Sequence, residues 1–63
     1  MPKTSLTVKL VGEDGNAFAI LGKVRGALER GGYDDLASQY IEEATMGDYD
    51  HLLMTTCQYV NVE

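Results

Sequence analysis

The sequence contains no tryptophan and only one cysteine, one histidine and one proline among its 63 residues. The single cysteine, Cys57, excludes an internal disulfide, and Cys57 with His51 falls short of the ligand set of a structural zinc site. No run reaches the roughly 18 apolar residues that a membrane span requires. Residues 1–10 also lack the apolar core of a secretory signal. These absences predict a cytoplasmic protein without a metal centre.

Basic side chains are missing from half of the chain. The first 31 residues carry five basic and three acidic side chains, a net charge of +2, whereas residues 32–63 carry seven carboxylates and a net charge of −7. Charge segregated in this way selects partners by sign. Binding of duplex nucleic acid is disfavoured, because it requires clustered Lys and Arg side chains.

The length predicts a single small domain spanning residues 1–63. A chain of this size buries only about 60% of the surface that its unfolded form exposes, so its stability is marginal. With no disulfide or metal to add stability, self-association is the remaining source, and we expect a homo-oligomer, with a homodimer favoured. The apolar fraction of 44% is that of a folded chain.

Hydrophobic periodicity divides the chain into five elements in the order β-α-α-α-β. Leu6, Val8 and Leu10 alternate with polar residues, as in a strand with one buried face. Pairing the two terminal strands satisfies their backbone groups, which predicts an α+β domain with a two-stranded sheet and the helices on one face. The pattern leaves the relative strand direction open. The predicted strands span residues 5–11 and 58–63, and the predicted helices span residues 16–30, 34–45 and 48–56.

Capping residues mark the ends of these helices. Asp14 or Asn16 is expected to cap the first helix, which the Gly31-Gly32 pair then ends. Asp34 is the expected N-cap of the second helix and Asp48 that of the third. Periodicity places several apolar or small residues of the first and third helices inside, namely Phe18, Ile20, Val24, Tyr49, Leu52, Leu53 and Cys57.

Two glycines interrupt the polar side of the first helix. Gly22 and Gly26 each cost about 1 kcal/mol in helix propensity relative to alanine without filling a core gap. With Ala19 they form a surface of small residues, here called the glycine face, flanked by Lys23 and Arg30. It suits self-association or the binding of an anion. The alternatives are that another helix packs there, or that the glycines are merely tolerated.

The carboxylates of the second half are the expected contacts for a basic partner protein. Tyrosines beside carboxylates also suit a protein interface. Periodicity assigns Tyr40 and Tyr49 to the core, which leaves Tyr33 and Tyr59 as the expected tyrosine contacts. The predicted partner-binding set is therefore Asp34, Asp35, Glu42, Glu43, Asp48, Asp50, Tyr33 and Tyr59.

Other polar clusters offer little chemistry. Asp48, Asp50 and His51 could form a weak divalent-cation site, but a solvated helix start explains them better. Cys57 is six residues from His51, a poor geometry on a helix for proton transfer, and is expected in the core. The 12–16 segment lacks the spacing of phosphate-binding loops and is expected to be a connecting turn. We therefore predict no catalytic residues, no metal, no cofactor and no enzymatic activity.

Two blocks of sequence resemble a group of short bacterial, plasmid and phage proteins. The blocks are VGEDGNAFAILGKVRGAL, residues 11–28, and EEATMGDYDHLL, residues 42–53. The group has no assigned activity, so the resemblance transfers no site residue. It implies a bacterium or a mobile element as the setting.

Two functions follow as hypotheses. The first is a non-catalytic acidic interaction protein that binds a basic partner protein through its C-terminal half. The alternative is an oligomeric binder of a small anion or nucleotide, which uses the glycine face with Lys23 and Arg30.

Overall fold

The computed structural model describes residues 2–13 and 15–63, and it confirms the α+β fold with the order β-α-α-α-β. The three helices lie between two short terminal strands. The elements are β1 (Thr7–Val8), α1 (Ala17–Arg30), α2 (Asp34–Ala44), α3 (Tyr49–Tyr59) and β2 (Asn61–Val62).

The two strands pair in parallel, with Thr7 opposite Asn61 and Val8 opposite Val62. Backbone bonds continue past the strands, since the Lys3 amide donates to the Gln58 carbonyl at 2.8 Å. The Leu10 amide likewise donates to the Glu63 carbonyl at 2.9 Å. Both strands are shorter than predicted.

The main boundary error lies at the C-terminal end of α3. Residues 58 and 59, predicted to begin the last strand, form the last turn of α3. The helical conformation is the one that buries Tyr59 completely beside Tyr40, at a ring-centroid distance of 5.4 Å. Burial of two aromatic rings therefore outweighs the strand propensity of this segment.

Local capping chemistry defines most helix ends as expected. Asn16 Oδ1 accepts a hydrogen bond from the Ala19 amide at 3.1 Å, and Asp14 lies outside the described residues. At the end of α1, Gly32 has a φ of 86°, and the Tyr33 amide donates to the Leu28 carbonyl. This is a Schellman motif, whose left-handed residue favours glycine.

The predicted N-cap of α2 is wrong. Tyr33 occupies the N-cap position without a side-chain capping bond, and Asp34 is already in the first helical turn. The Schellman bonds position Tyr33, so the helix begins immediately after it. Asp34 and Asp35 instead interact favourably with the positive end of the helix dipole. Asp48 caps α3 as predicted, because its Oδ1 accepts from the His51 amide at 2.9 Å.

Three residues assigned to the interior lie elsewhere. The side chain of Phe18 is 88% exposed, because it lies about 120° around the α1 axis from Val24, at the centre of the buried stripe. Cys57 is exposed, and Leu53 is 36% exposed. The buried stripe of α3 consists instead of Leu52, Thr55, Thr56 and Tyr59.

Candidate functional site

An open apolar groove lies where α1 begins, α2 ends and α3 begins. Ala17, Phe18 and Leu21 form the α1 side, and Tyr49 and Leu52 form the α3 side. The groove, here called the Phe18 groove, has a volume of about 280 Å³. Small-molecule sites typically range from about 300 to 1,000 Å³ and are more enclosed. Its size and its apolar lining therefore suit one or two side chains better than a nucleotide.

Two large apolar side chains at the Phe18 groove are exposed. Phe18 is 88% exposed and Met46 is 76% exposed. Met46 lies between Thr45 and Gly47, which both line the groove. Sequence reasoning missed both residues, Phe18 because it was assigned to the core and Met46 because a turn residue has no periodic position. The signal in the sequence that could have identified Phe18 is its position on the α1 helix, away from the stripe formed by Ile20, Val24 and Leu28.

Hydrogen bonds fix the walls of the groove. The Gly15 amide donates to Tyr49 Oη at 2.8 Å, which joins the turn before α1 to the start of α3. Next to it, His51 Nε2 lies 2.8 Å from the Glu43 carbonyl oxygen. A carbonyl can only accept, so His51 Nε2 carries a proton and donates. His51 therefore joins α3 to α2 and is a structural residue.

The predicted partner-binding carboxylates separate into two groups at opposite ends of α2. Asp34 and Asp35, the distal carboxylates, are exposed in its first turn. The groove carboxylates, Glu42, Asp48 and Asp50, are also exposed. Asp48 lines the Phe18 groove, and Glu42 lies one turn before the lining residue Thr45. Along α2, Glu42 lies roughly 10 Å from Asp35.

Tyr59 does not belong to an exposed interface, and the half-buried Glu43 is hydrogen-bonded to it. Tyr59 is fully buried, contrary to the prediction, and its hydroxyl donates to Glu43 Oε1 at 2.8 Å. This bond, with one from Gln39, holds the pKa of the Glu43 carboxyl below its ordinary value. Tyr33, also predicted as a contact, is half-buried against the core.

The basic side chains are more dispersed in the fold than in the sequence. Lys3 Nζ lies 5.2 Å from the centroid of the Tyr59 ring, within the acidic half. Lys23 Nζ lies 3.5 Å from Glu13 Oε1 and donates to the Lys9 carbonyl at 3.2 Å. Arg25 lies 3.3 Å from Glu29 within α1. None of these three cations lines the Phe18 groove.

The glycine face on α1 is exposed at Gly22 and half-buried at Ala19 and Gly26. A Cβ atom at Gly22 would meet nothing within 4 Å, so neither α2 nor α3 packs there. At Gly26 it would lie 3.1 Å from the Arg30 guanidinium, which covers that glycine. Lys23 instead bonds to residues before α1, and Ala19 is half-buried. The structure therefore brings Gly26 and Arg30 together but directs Lys23 away from them.

Within residues 2–13 and 15–63, no group of three or more His, Cys, Asp or Glu side chains is placed to hold a metal ion. In the same part of the chain, no helix has the length and apolar character needed to cross a bilayer. No family model, curated protein or solved structure matches the chain.

Proposed function

We propose that this chain is a non-catalytic, acidic interaction protein that binds a basic partner protein through its C-terminal half. The observation that carries the proposal is the exposure of five of the six predicted partner-binding carboxylates, which lie in a half of the chain that contains no Lys or Arg. They are Asp34, Asp35, Glu42, Asp48 and Asp50. Complementary charge accelerates encounter with a basic surface and disfavours acidic partners.

Site-specific photo-crosslinking tests this proposal. Ser38 is exposed on α2 between Asp35 and Glu42, so a photo-reactive residue placed there should capture a partner on the acidic surface. We expect the captured protein to be basic. Its affinity for the full chain should fall at least about tenfold between roughly 50 and 500 mM salt, because exposed charges are screened over about 10 Å or less. Binding that is independent of salt contradicts the proposal.

The anion-binding alternative has less geometric support. Lys23 lies 3.5 Å from Glu13 Oε1, the neighbouring Arg25 lies 3.3 Å from Glu29 Oε2, and Arg30 covers Gly26. These carboxylates would compete with a bound anion. Self-association stays a prediction, and Gly22→Ala tests whether the open surface at Gly22 takes part in it. Light scattering during size-exclusion chromatography measures it directly.

A further inference from the structure

The Phe18 groove has a chemical character distinct from that of the rest of the acidic surface. Its lining is mainly apolar, Phe18 and Met46 are exposed beside it, and its one charged lining residue is Asp48. Exposed apolar side chains grouped at a groove and rimmed by polar residues are the arrangement found at protein-binding surfaces. We propose that the groove binds a cationic amphipathic segment of the partner, whose apolar side chain enters between Phe18 and Met46.

Charge complementarity identifies the occupant. Asp48 uses Oδ1 to cap α3, which leaves its Oδ2 able to accept from a cation. Glu42 and Asp50 are exposed on the adjacent turns of α2 and α3. Lys or Arg side chains beside the apolar residue of such a segment would therefore reach Asp48 in the lining while the apolar residue is buried. Glu42 and Asp50 add negative charge within one helical turn of other lining residues.

The same carboxylates disfavour a second copy of this chain as the occupant. A symmetric dimer through the Phe18 groove brings each surface against its own equivalent. The groove carboxylates of both copies would then lie close together, and like charges placed together at an interface weaken it. A basic segment removes this repulsion. The inference rests on the proposed function and adds to it the position and chemistry of the contact.

Two synthetic peptides provide the probe. One is a helix-forming peptide of about 14 leucine and lysine residues with its leucines on one face. The other has the same composition with the leucines distributed around the helix. Each is titrated into the isotopically labelled full chain at low salt, and amide shifts are followed by NMR. We expect the amphipathic peptide to bind about tenfold more tightly and to shift Ala17, Leu21, Thr45 and Tyr49.

Matched variants separate the apolar contribution from the charge contribution. Phe18→Ser changes an 88% exposed side chain, and Met54→Ser is its control at a 65% exposed position on α3 outside the lining. Glu42→Gln with Asp50→Asn removes two groove carboxylates. Asp34→Asn with Asp35→Asn removes the same charge from the distal group. We expect affinity losses of about tenfold for the Phe18 and groove variants and about twofold or less for the two controls.

The outcomes distinguish the inference from the proposed function. Equal binding of both peptides, with no effect of Phe18→Ser, overturns the groove but leaves a charge-driven interaction protein. No binding of either peptide at low salt contradicts both. A wild-type dimer that Phe18→Ser converts to a monomer shows that a second copy covers the groove, which also overturns the inference.

Discussion

The hydroxyl of Tyr59 donates to the carboxylate of Glu43 at 2.8 Å, joining the last turn of α3 to the penultimate residue of α2. The same tyrosine packs edge-on against Tyr40 and lies beneath the Lys3 ammonium. Its carbonyl accepts from the Thr4 hydroxyl at 2.8 Å. Tyr59 thus connects both ends of the chain to α2, which makes it a structural centre of the domain.

Replacing Tyr59 by Phe should raise the pKa of the Glu43 carboxyl toward its ordinary value of 4.5, because the Tyr59 bond is the largest cause of the depression. A carboxyl with a depressed folded-state pKa stabilises the fold above its unfolded-state pKa, and this contribution disappears as pH falls through the folded-state value. The variant should therefore lose less stability than the wild type on acidification below about pH 4.5.

Carbon-detected NMR titration measures the pKa of the Glu43 carboxyl. Urea unfolding at neutral and acidic pH measures the change in stability. Tyr33→Phe is the matched control, since it removes a phenolic hydroxyl from a half-buried position in the turn between α1 and α2. An unchanged Glu43 titration in Tyr59→Phe contradicts the assignment.

Alkaline pH should destabilise the fold through the same residue. Burial, and then the bond to Glu43 and its charge, raise the pKa of Tyr59 above the ordinary 10.0. A raised folded-state pKa contributes stability below the unfolded-state value and loses it as pH rises beyond that value. We expect the free energy of unfolding to fall above about pH 10, with tyrosinate absorbance from Tyr59 appearing only on unfolding. Tyrosinate absorbance from all four tyrosines in the folded state contradicts this expectation.

Local and long-range features of this fold differ in how far the sequence predicts them. The Asn16 and Asp48 caps and the Gly31-Gly32 stop depend on neighbours a few residues apart, so pattern and capping chemistry suffice. The parallel strand direction depends on contacts between the two ends of the chain, such as that of Thr4 with Tyr59, 55 residues apart. Periodicity within each strand carries no information about this pairing.

The misplacement of Cys57 has a similar physical cause. Hydropathy ranks threonine below cysteine and leucine for burial, yet Thr55 and Thr56 are both buried. Each donates its hydroxyl to the carbonyl four residues earlier, at 2.8 Å in both cases. Because this local hydrogen bond satisfies the threonine hydroxyl, the polarity of the side chain does not oppose its burial. The sequence therefore predicts the α3 helix, but hydropathy assigns the wrong residues to its buried face.

Gly22→Ala should stabilise the protein by about 0.5–1 kcal/mol, because alanine is the better helix former and the added methyl meets open space. Gly26→Ala should increase the stability less, since the added methyl would lie 3.1 Å from the flexible end of Arg30. Urea unfolding of the two variants measures the difference. Destabilisation by Gly22→Ala, or a change of oligomeric state, would instead show that a second chain packs on the glycine face.

Gly47→Ala should destabilise the protein by about 1–3 kcal/mol through overpacking. A methyl at this position would lie 2.8 Å from His51 Cβ, an atom that cannot move without the α3 backbone. Thermal unfolding measures the loss, and Gly22→Ala provides the control for adding the same methyl in open space. A stability equal to that of the wild type shows that the turn before α3 relaxes at little cost.

The buried pair of Tyr40 and Thr56 gives the sharpest test of the core. Their hydroxyl oxygens lie 2.7 Å apart. Thr56 donates its one hydroxyl hydrogen to the Leu52 carbonyl at 2.8 Å, so Tyr40 must donate to Thr56. Tyr40→Phe removes the donor and leaves the buried Thr56 Oγ1 without a hydrogen bond to accept. This should lower the free energy of unfolding by about 1–2 kcal/mol.

A double-mutant cycle with Thr56→Val isolates this bond from the packing of the ring. We expect the double variant to be more stable than the sum of the single losses predicts, by about 1 kcal/mol, because the second change removes the acceptor that the first leaves without its donor. Urea unfolding of the four proteins gives the coupling. Strict additivity would mean that the two hydroxyls interact no more strongly with each other than with water, and that Tyr40 contributes to the contact between α2 and α3 through the packing of its ring alone.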